Sequence, residues 1–345
     1  MPHCPDPEDM KTIISHSPAQ FCAGLAAAAR VKIPGGPFRC VQGAGMGGSA
    51  MAFDLICDAG LSRVPIHVHR NYDLPPRLKA KKPLVIASSF SGDTEEALSA
   101  YDAARAQKLP LLGIATGGEL AGRCKKHKRE GVRFVRIPAE PESMQPRSAT
   151  GYTFGILTRV LDNHDLAVKE AVEAVESLAE PLEKFMETAH KQAERLLPGL
   201  RQGTPVIYAS DRYASVARIF KIKINENAKT PAFWNVFPEL NHNEMVGWTQ
   251  RRGPFHVVFL RDGEEDPRIV KRMDLTRELL CEHGVPSAVV EITGQTPLEK
   301  LFCTLLVADW ASYELALALG VDPTPVEMLE DFKDRLKELS DGQTG

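Results

Sequence analysis

A glycine-rich loop between an apolar strand and a helix is the feature that most limits how this chain can fold. Gly43, Gly45 and Gly48 have the G-x-G-x-x-G spacing, with a strand predicted over residues 38–42 and a helix over Ala50–Asp58. Such a turn brings a helix N-terminus close to a phosphate and is typical of doubly wound α/β folds. A tight strand-to-helix turn without a ligand needs the same glycines, so the spacing alone does not identify what binds.

The strand, loop and helix pattern recurs along the chain and restarts after a long amphipathic stretch. Apolar runs that predict strands are PIHVHR, PLVIASS, LPLLGIAT and RFVRIP in the first half, and PVIYAS, FHVVFLRD and SAVVEIT in the second. Strands that alternate with helices in this way predict parallel sheets covered on both faces. We therefore expect an α/β fold with two doubly wound parallel-sheet domains and flanking helices.

The same pattern divides the chain into four segments. They are an N-terminal helical segment 1–34, a first domain 35–165, a helical linker 166–197 and a second domain 198–345 that ends in a helix. The length of 345 residues exceeds a typical single core and favours about two domains. Because proline interrupts a helix interior, we expect the linker to break at Pro181.

The composition gives no indication of a nucleic-acid or membrane partner. The formal net charge is -3, and the apolar stretch FCAGLAAAARV is too short to cross a bilayer. The beginning of the chain, MPHCPDPEDM, is acidic and proline-rich, unlike a signal peptide. The seven cysteines are dispersed without C-x-x-C pairs, which favours reduced thiols in a cytoplasmic protein over disulfides or a zinc site.

A second polar loop changes the ligand expected at the glycines. The segment IASSFSGDTEEAL places Ser88, Ser89, Ser91 and Thr94 between a buried strand and a helix. Hydroxyls and N–H groups at a helix start can donate to several phosphate oxygens without adding charge, although each hydroxyl could also serve only as a helix cap. In a doubly wound sheet both loops would lie at the carboxyl ends of strands. A phosphate monoester therefore suits this site better than a dinucleotide.

The residues at the end of the next strand do not exclude a dinucleotide ligand. A nicotinamide-binding fold places an acidic residue about 20 residues past the glycines, whereas this strand ends at His69-Arg70-Asn71. Arg70 could accept the additional phosphate of NADP. His67 and His69 face the same side of that strand and could hold a metal, but no third ligand is evident nearby.

Several motifs resemble a known family. GAGMGGSAMA followed by SSFSGDTEE resembles the sugar isomerase (SIS) domain, a phosphosugar-binding module. The segments PRSATGY, KINENAKTPA, FPELNHNEMVGW and GVDPTPVEMLEDFK, in this order, resemble the bifunctional phosphoglucose/phosphomannose isomerase family. The resemblance implies two SIS domains and an isomerase that interconverts glucose 6-phosphate, and also mannose 6-phosphate, with fructose 6-phosphate. It implies no cofactor and no metal.

The resemblance also assigns the phosphate site and shows two departures from the family pattern. Phe90 stands where the family commonly has Tyr, and Asp93 stands where it commonly has Asn. A carboxylate beside a dianionic phosphate is unfavourable, so we expect Asp93 to turn away and cap the helix that follows it. The residues expected to bind the substrate phosphate are Gly47, Gly48, Ser49, Ser89, Ser91 and Thr94.

Four further residues match the family's catalytic positions. Aldose–ketose isomerisation moves a proton between C1 and C2 through an enediolate, which requires a base, a positive charge near the developing oxyanion and a ring-opening group. The resemblance implies that Glu226 is the base and that His242 opens the sugar ring. Arg147 would stabilise the enediolate, and Lys333 would lie near the ring oxygen. Taken singly, each of these residues could equally be an ordinary surface side chain.

The family supplies the matching histidine from the neighbouring subunit, so the resemblance implies a homodimer with composite active sites. Glu239 and Glu244 flank His242 and are expected to be structural. The main alternative function is a non-catalytic SIS protein that binds or senses a phosphosugar. Sensors of that kind often carry a basic DNA-binding segment, which the N-terminal residues do not resemble.

Overall fold

Nine parallel strands form two separate sheets in this computed structural model, which describes residues 6–76 and 78–342. The first sheet has the order β2-β1-β3-β4-β5 and contains β1 (Cys40–Ala44), β2 (Ile66–His69), β3 (Pro83–Ser88), β4 (Leu111–Ala115) and β5 (Arg133–Arg136). The second has the order β7-β6-β8-β9 and contains β6 (Thr204–Ser210), β7 (Phe233–Phe237), β8 (Phe255–Arg261) and β9 (Ser287–Glu291). The predicted α/β class with parallel sheets is confirmed.

Helices cover both sheets and join them. In the first half of the chain they are α1 (Met10–Ser15), α2 (Gln20–Ala27), α3 (Gly47–Asp58), α4 (Glu95–Ala106), α5 (Gly118–Lys126) and α6 (Thr150–Asn163). In the second half they are α7 (Ala171–Glu176), α8 (Ala179–Gln202), α9 (Ala214–Ala228), α10 (Glu244–Gly247), α11 (Pro267–Glu282), α12 (Pro297–Leu319) and α13 (Glu327–Gly342). The connections from β1 to β2, β3 to β4, β4 to β5, β6 to β7 and β8 to β9 run through α3, α4, α5, α9 and α11, as crossovers between parallel strands commonly do.

Helix α12 lies at the centre of the helical layer and packs against both α8 and α9. By length and composition it is apolar enough to cross a membrane, the one such helix among the described residues. However, 78% of its most apolar window is buried inside the protein. A helix that is apolar on all sides is expected where other elements surround it, which accounts for its composition.

Two predicted element boundaries need correction, and one strand was not predicted. The linker breaks between α7 and α8, and Pro181 lies in the first turn of α8, where its missing N–H has no intrahelical partner to lose. Helix α3 begins at Gly47 and not at Ala50. Strand β7 was not predicted, because its segment FWNVF lies at the sheet edge and exposes Phe233 and Trp234, so no buried apolar run marks it.

His256 on β8 is buried without a hydrogen-bond partner. Its exposed fraction is 7%, neither ring nitrogen is bonded to any described residue, and the ring packs against Gly199 of α8. Burial lowers the pKa of His256. The folded chain therefore disfavours the imidazolium form, so this residue's contribution to stability is present above the ordinary histidine pKa of about 6.5 and is lost as the pH falls below it.

We expect the free energy of unfolding to decline more steeply below about pH 6.5 in the wild type than in a His256→Leu variant, since leucine has no proton to take up. Urea unfolding at several pH values between neutral and acid conditions would measure this difference. His67→Leu is the matched control because His67 is exposed on β2. Parallel pH profiles for the wild type and His256→Leu would contradict the prediction.

Candidate active site

The glycine loop and the hydroxyl loop meet at the carboxyl ends of two neighbouring strands. β1 and β3 are parallel and adjacent, with Ala44 opposite Ala87 at their ends. The chain leaves β1 into α3 and leaves β3 into α4, while the strand order reverses between these two strands. A crevice at such a reversal is where open α/β sheets bind ligands, so the relative placement predicted for the two loops is correct.

Ser49 ties the glycine loop to the hydroxyl loop. Its oxygen accepts a hydrogen bond of 2.9 Å from the backbone N–H of Phe90, which leaves the hydroxyl hydrogen of Ser49 able to donate. Gly47, at the start of α3, has a φ of 45°, in the left-handed region that favours glycine. The first N–H groups of a helix have no partner within the helix and attract an anion. This helix start can therefore hold a phosphate group.

The second loop is shaped mainly by Ser89. The side chain is fully buried, and its oxygen accepts hydrogen bonds from the N–H groups of Gly92 at 3.0 Å and Thr94 at 3.3 Å. It also shares a hydrogen bond of 2.8 Å with the hydroxyl of Thr94. Ser91 lies on the same loop. Ser89 thus fixes the loop's shape from inside, and its contact with a phosphate stays a prediction.

Asp93 is turned toward α5, and not toward α4, the helix that follows it and that it was predicted to cap. Its carboxylate accepts a hydrogen bond of 2.8 Å from the N–H of Glu119, in the first turn of α5. The positive end of the α5 dipole therefore faces this negative charge. Phe90, the other departure from the family pattern, is partly buried and packs against the main core.

A short turn carrying Arg147 packs directly against the glycine loop. The turn spans Pro146–Ser148, and a Cβ atom on Gly48 would lie 2.6 Å from the carbonyl carbon of Pro146 and 2.9 Å from the backbone nitrogen of Arg147. No side chain fits at that distance. Gly48 is therefore required for contact between two protein segments as well as for any approach of a ligand.

The guanidinium of Arg147 is almost completely buried and bonds four groups. The side chain is 1% exposed, and Nε donates to the side-chain oxygen of Asn227. Nη1 donates to Glu226 Oε2 at 3.0 Å, and Nη2 donates to two backbone carbonyl oxygens, those of Pro323 at 2.8 Å and Thr324 at 2.9 Å. Burial lowers the pKa of Arg147, and the charge of Glu226 opposes that shift.

One face of α9 receives the Arg147 turn. Glu226 and Asn227 follow Lys223 by three and four residues, so both lie on the same side of the helix as Lys223. Lys223 Nζ donates to the carbonyl oxygen of Arg147 at 3.2 Å and pairs with Asp309 of α12. Burial raises the pKa of Asp309, and the ammonium of Lys223 opposes this. The Asp309 carboxylate thus holds the Lys223 ammonium in place, and this ammonium fixes the backbone carbonyl of Arg147.

Helices α3 and α9 run side by side in opposite directions, with their active-site ends together. At the far end the Asp58 carboxylate of α3 accepts a hydrogen bond of 3.1 Å from the N–H of Ser215, in the first turn of α9. One turn earlier Asp54 pairs with Arg218 at 3.3 Å. Burial raises the pKa of Asp58 to about 6. These contacts prevent α9 from sliding along α3. They therefore help to fix the distance between Glu226 and the glycine loop.

Comparisons with known proteins agree with this geometry. Residues 189–336 match the family described as bacterial phospho-glucose isomerase C-terminal SIS domain. The bifunctional phosphoglucose/phosphomannose isomerase of Caldicellulosiruptor bescii is 36% identical over 86% of this chain and 89% of its own length. The one of Aquifex aeolicus is 31% identical over 88% and 92%. The chain belongs to the bifunctional phosphoglucose/phosphomannose isomerase family.

The fold of this family member also resembles solved structures. The structure of a hypothetical protein from Thermus thermophilus superposes with a TM-score of 0.70 over 96% of this chain and 90% of that one, at 16% sequence identity. An identity this low supports the shared fold alone. It agrees with the two parallel sheets and their covering helices described above.

The structure brings together two of the four predicted catalytic residues. Arg147 and Glu226 are in contact beside the glycine loop, and the side chain of Glu226 is 28% exposed. His242 is exposed just beyond β7, and Lys333 is exposed on α13. Within residues 6–76 and 78–342, no hydrogen bond or ion pair joins either of them to Glu226.

Several residues that support Arg147 and Glu226 were not predicted from the sequence to belong to the site. Lys223, Asn227 and Asp309 hold Arg147 in place, and Asn227 also donates to the hydroxyl of Ser312 at 2.9 Å. The polar spacing in KINENAK could have indicated a buried face on α9. Glu244 accepts hydrogen bonds from Tyr208 and Asn235, which agrees with the structural role expected of it.

Proposed function

We propose that this protein is an aldose–ketose isomerase that interconverts glucose 6-phosphate, and also mannose 6-phosphate, with fructose 6-phosphate. The observation that carries this proposal is the contact of Arg147 with Glu226 at 3.0 Å, directly beside the glycine loop at Gly48. A base, a fixed positive charge and an anion-binding helix start are therefore adjacent. Membership of the isomerase family supports the same assignment.

In the proposed reaction Glu226 moves one proton. Its carboxylate removes the proton from C2 of the open-chain aldose, and the electron pair forms the C1–C2 double bond of an enediolate. Glu226 returns a proton to C1, while the hydroxyl proton passes from O2 to O1. Hydrogen is only relocated within the substrate, so the balance requires no redox cofactor. Epimers at C2 give the same enediolate, which accounts for activity on both glucose and mannose phosphates.

Arg147 stabilises the negative charge that develops in this reaction. Four hydrogen bonds to protein groups fix its guanidinium beside Glu226, so it needs no rearrangement when charge appears on the substrate. The substrate phosphate binds at the helix start formed by Gly47, Gly48 and Ser49 and at the second loop. The hydroxyls that the second loop contributes are those of Ser89, Ser91 and Thr94.

The remaining catalytic groups come from outside this arrangement. His242 opens the sugar ring from the partner subunit of a homodimer, and Lys333 lies near the ring oxygen in the assembled site.

We also propose that residues 35–165, which contain the first sheet, form an SIS domain that holds the phosphate. Residues 1–34 are then an N-terminal helical segment, 166–197 a helical linker and 198–345 a second SIS domain. The protein acts on its substrate in the cytoplasm, without a nucleic-acid or membrane partner.

A direct assay tests the activity. Purified protein with fructose 6-phosphate should produce glucose 6-phosphate, detected by a coupled dehydrogenase, and mannose 6-phosphate, detected by chromatography. Saturable binding of fructose 6-phosphate without conversion would instead establish the sensor alternative. Binding of a nicotinamide dinucleotide in calorimetry, with no sugar-phosphate binding, would establish the oxidoreductase alternative.

The shared site predicts complementation between two inactive variants. Glu226→Gln and His242→Ala should each abolish most activity, and a mixture refolded together should regain about a quarter of the wild-type rate, since half of randomly formed dimers contain one intact site. The rate of the mixture measured against each variant alone checks this. No recovery in mixtures that native mass spectrometry shows to contain mixed dimers would contradict sharing of the site.

A further inference from the structure

We propose that Lys229 is a positioning residue which, together with Arg147, clamps the connection between α12 and α13 and so places α13 for catalysis. This inference rests on the proposed isomerase function, because α13 carries Lys333. No other role of Lys229 follows from the isomerisation chemistry, which uses Glu226, His242, Arg147 and Lys333. The argument depends on three consecutive backbone carbonyls and the two cations that bind them.

Lys229 is held in an unusual conformation at the end of α9. It is the first residue after the helix and has a φ of 53°, a left-handed value that is uncommon for a residue other than glycine. Its Nζ donates to the carbonyl oxygen of Asn227 at 3.1 Å and to that of Asp322 at 2.5 Å. The side chain therefore folds back over the helix end and joins it to the connection that follows α12.

The clamp takes hold of three successive residues. Lys229 binds the carbonyl of Asp322, and Arg147 binds the carbonyls of Pro323 and Thr324. The connection is stiff in itself, since the N–H of Thr324 donates to the Asp322 carboxylate at 2.9 Å and Pro323 has a fixed φ. Hydrogen bonds from charged donors are stronger than neutral ones, so this short connection is fixed against α9.

Apolar side chains in the first half of α13 pack weakly against this chain, which makes the clamp important. Met328 is 87% exposed and Phe332 is 58% exposed, so these apolar side chains of α13 bury little surface against this chain. The direction in which the helix leaves the body is consequently set by the clamped residues that precede it. If that direction changes, Lys333 moves with it.

The charges around Lys229 link the clamp to the reaction centre. The groups that act on it are Arg147, of the same sign, and the carboxylates of Glu226, Asp322 and Glu327. Burial and the nearby Arg147 lower the pKa of Lys229 to about 8. Lys229 therefore loses its charge as the pH rises above about 8, and its hydrogen bond to the Asp322 carbonyl is then no longer charge-assisted.

Two variants test the clamp in the full-length protein. Lys229→Met removes the donor, whereas Lys229→Arg keeps a charge at every relevant pH. Lys191→Met is the matched control, since Lys191 forms only an exposed ion pair on α8. Hydrogen–deuterium exchange of peptides covering residues 321–336 reports the order of the connection independently of activity, and kcat and KM for fructose 6-phosphate report its functional consequence.

In Lys229→Met we expect faster exchange in these peptides and a fall in kcat of about tenfold or more with a much smaller change in KM, because a misplaced group slows the chemical step. Lys229→Arg should retain most activity and move the alkaline decline of kcat to higher pH. Unchanged exchange in Lys229→Met would overturn the clamp. Faster exchange with unchanged kcat would overturn its role in placing α13.

The outcome separates this proposal from the proposed function. If the wild-type protein has no isomerase activity, the proposed function fails, while the exchange experiment still decides whether Lys229 orders the connection. If Lys229→Met does not fold by circular dichroism, the wild type measured from pH 7 to above pH 9, with intrinsic exchange rates corrected, provides the second test. Exchange of residues 321–336 that does not rise with deprotonation there would overturn the clamp.

Discussion

Glu226→Gln should lower kcat for fructose 6-phosphate by about a thousandfold, because an amide cannot accept the C2 proton. The dissociation constant of the substrate should change little, since the phosphate loops lie on the first sheet and are untouched. The amide oxygen can still accept the hydrogen bond from Arg147, so the surrounding geometry is retained. Steady-state kinetics and calorimetric titration with fructose 6-phosphate measure the two quantities separately.

The control for this substitution is Glu187→Gln, which removes a carboxylate from an exposed ion pair on α8. Its kcat should equal that of the wild type. Near-wild-type turnover in Glu226→Gln would show that another group moves the proton. Loss of binding together with turnover would show that Glu226 holds the substrate and does not act mainly in the chemical step.

Arg147→Lys should lower the free energy of unfolding by about 3 kcal/mol, because it breaks a buried, hydrogen-bonded ion pair and leaves its partners without donors. A lysine ammonium has three donors on a flexible chain and cannot reach Asn227, Glu226 and two carbonyls at once. Urea unfolding measures the loss. Turnover should fall as well, since the charge beside Glu226 is no longer fixed.

Arg159→Lys provides the comparison for this effect. Arg159 contacts two acidic residues, Asp162 at 3.4 Å and Glu176 at 3.3 Å, whose side chains are about half exposed. Pairs of that kind contribute little, so the variant should lose less than about 1 kcal/mol. Equal losses in the two variants would contradict the buried, four-point role of Arg147.

The position of the glycine loop and the hydroxyl loop could be predicted from the sequence because it depends on local patterns. Apolar runs that end in glycine or serine loops indicate both the strands and their carboxyl ends, and parallel pairing places those ends on one edge. Asp93 was predicted to cap α4, the helix that directly follows it, and it caps a more distant helix instead. The helix that it caps, α5, could not be inferred without the fold.

The support around Arg147 could not be predicted, since it depends on contacts between residues far apart in sequence. Arg147 and Glu226 are joined through a turn, a helix end and the connection after α12, and no local pattern links these segments. Edge strand β7 was missed because its exposed aromatic residues resemble a loop. His242 and Lys333 form no contact with Glu226 among the described residues, and the proposed contribution of His242 requires a second subunit that one sequence does not place.

In the proposed reaction, the antiparallel packing of α3 and α9 determines the distance between the substrate phosphate and the base. We expect a sugar phosphate held by its phosphate at the start of α3 to present to Glu226 the carbons that lie at that distance. The contacts of Asp58 and Asp54 with α9, at the end of the two helices away from the glycine loop, hold the helices in this register. We therefore expect a five-carbon sugar phosphate anchored in the same way to fall short of the base. Helix packing would then contribute to selection for six carbons, in addition to the groups that touch the sugar.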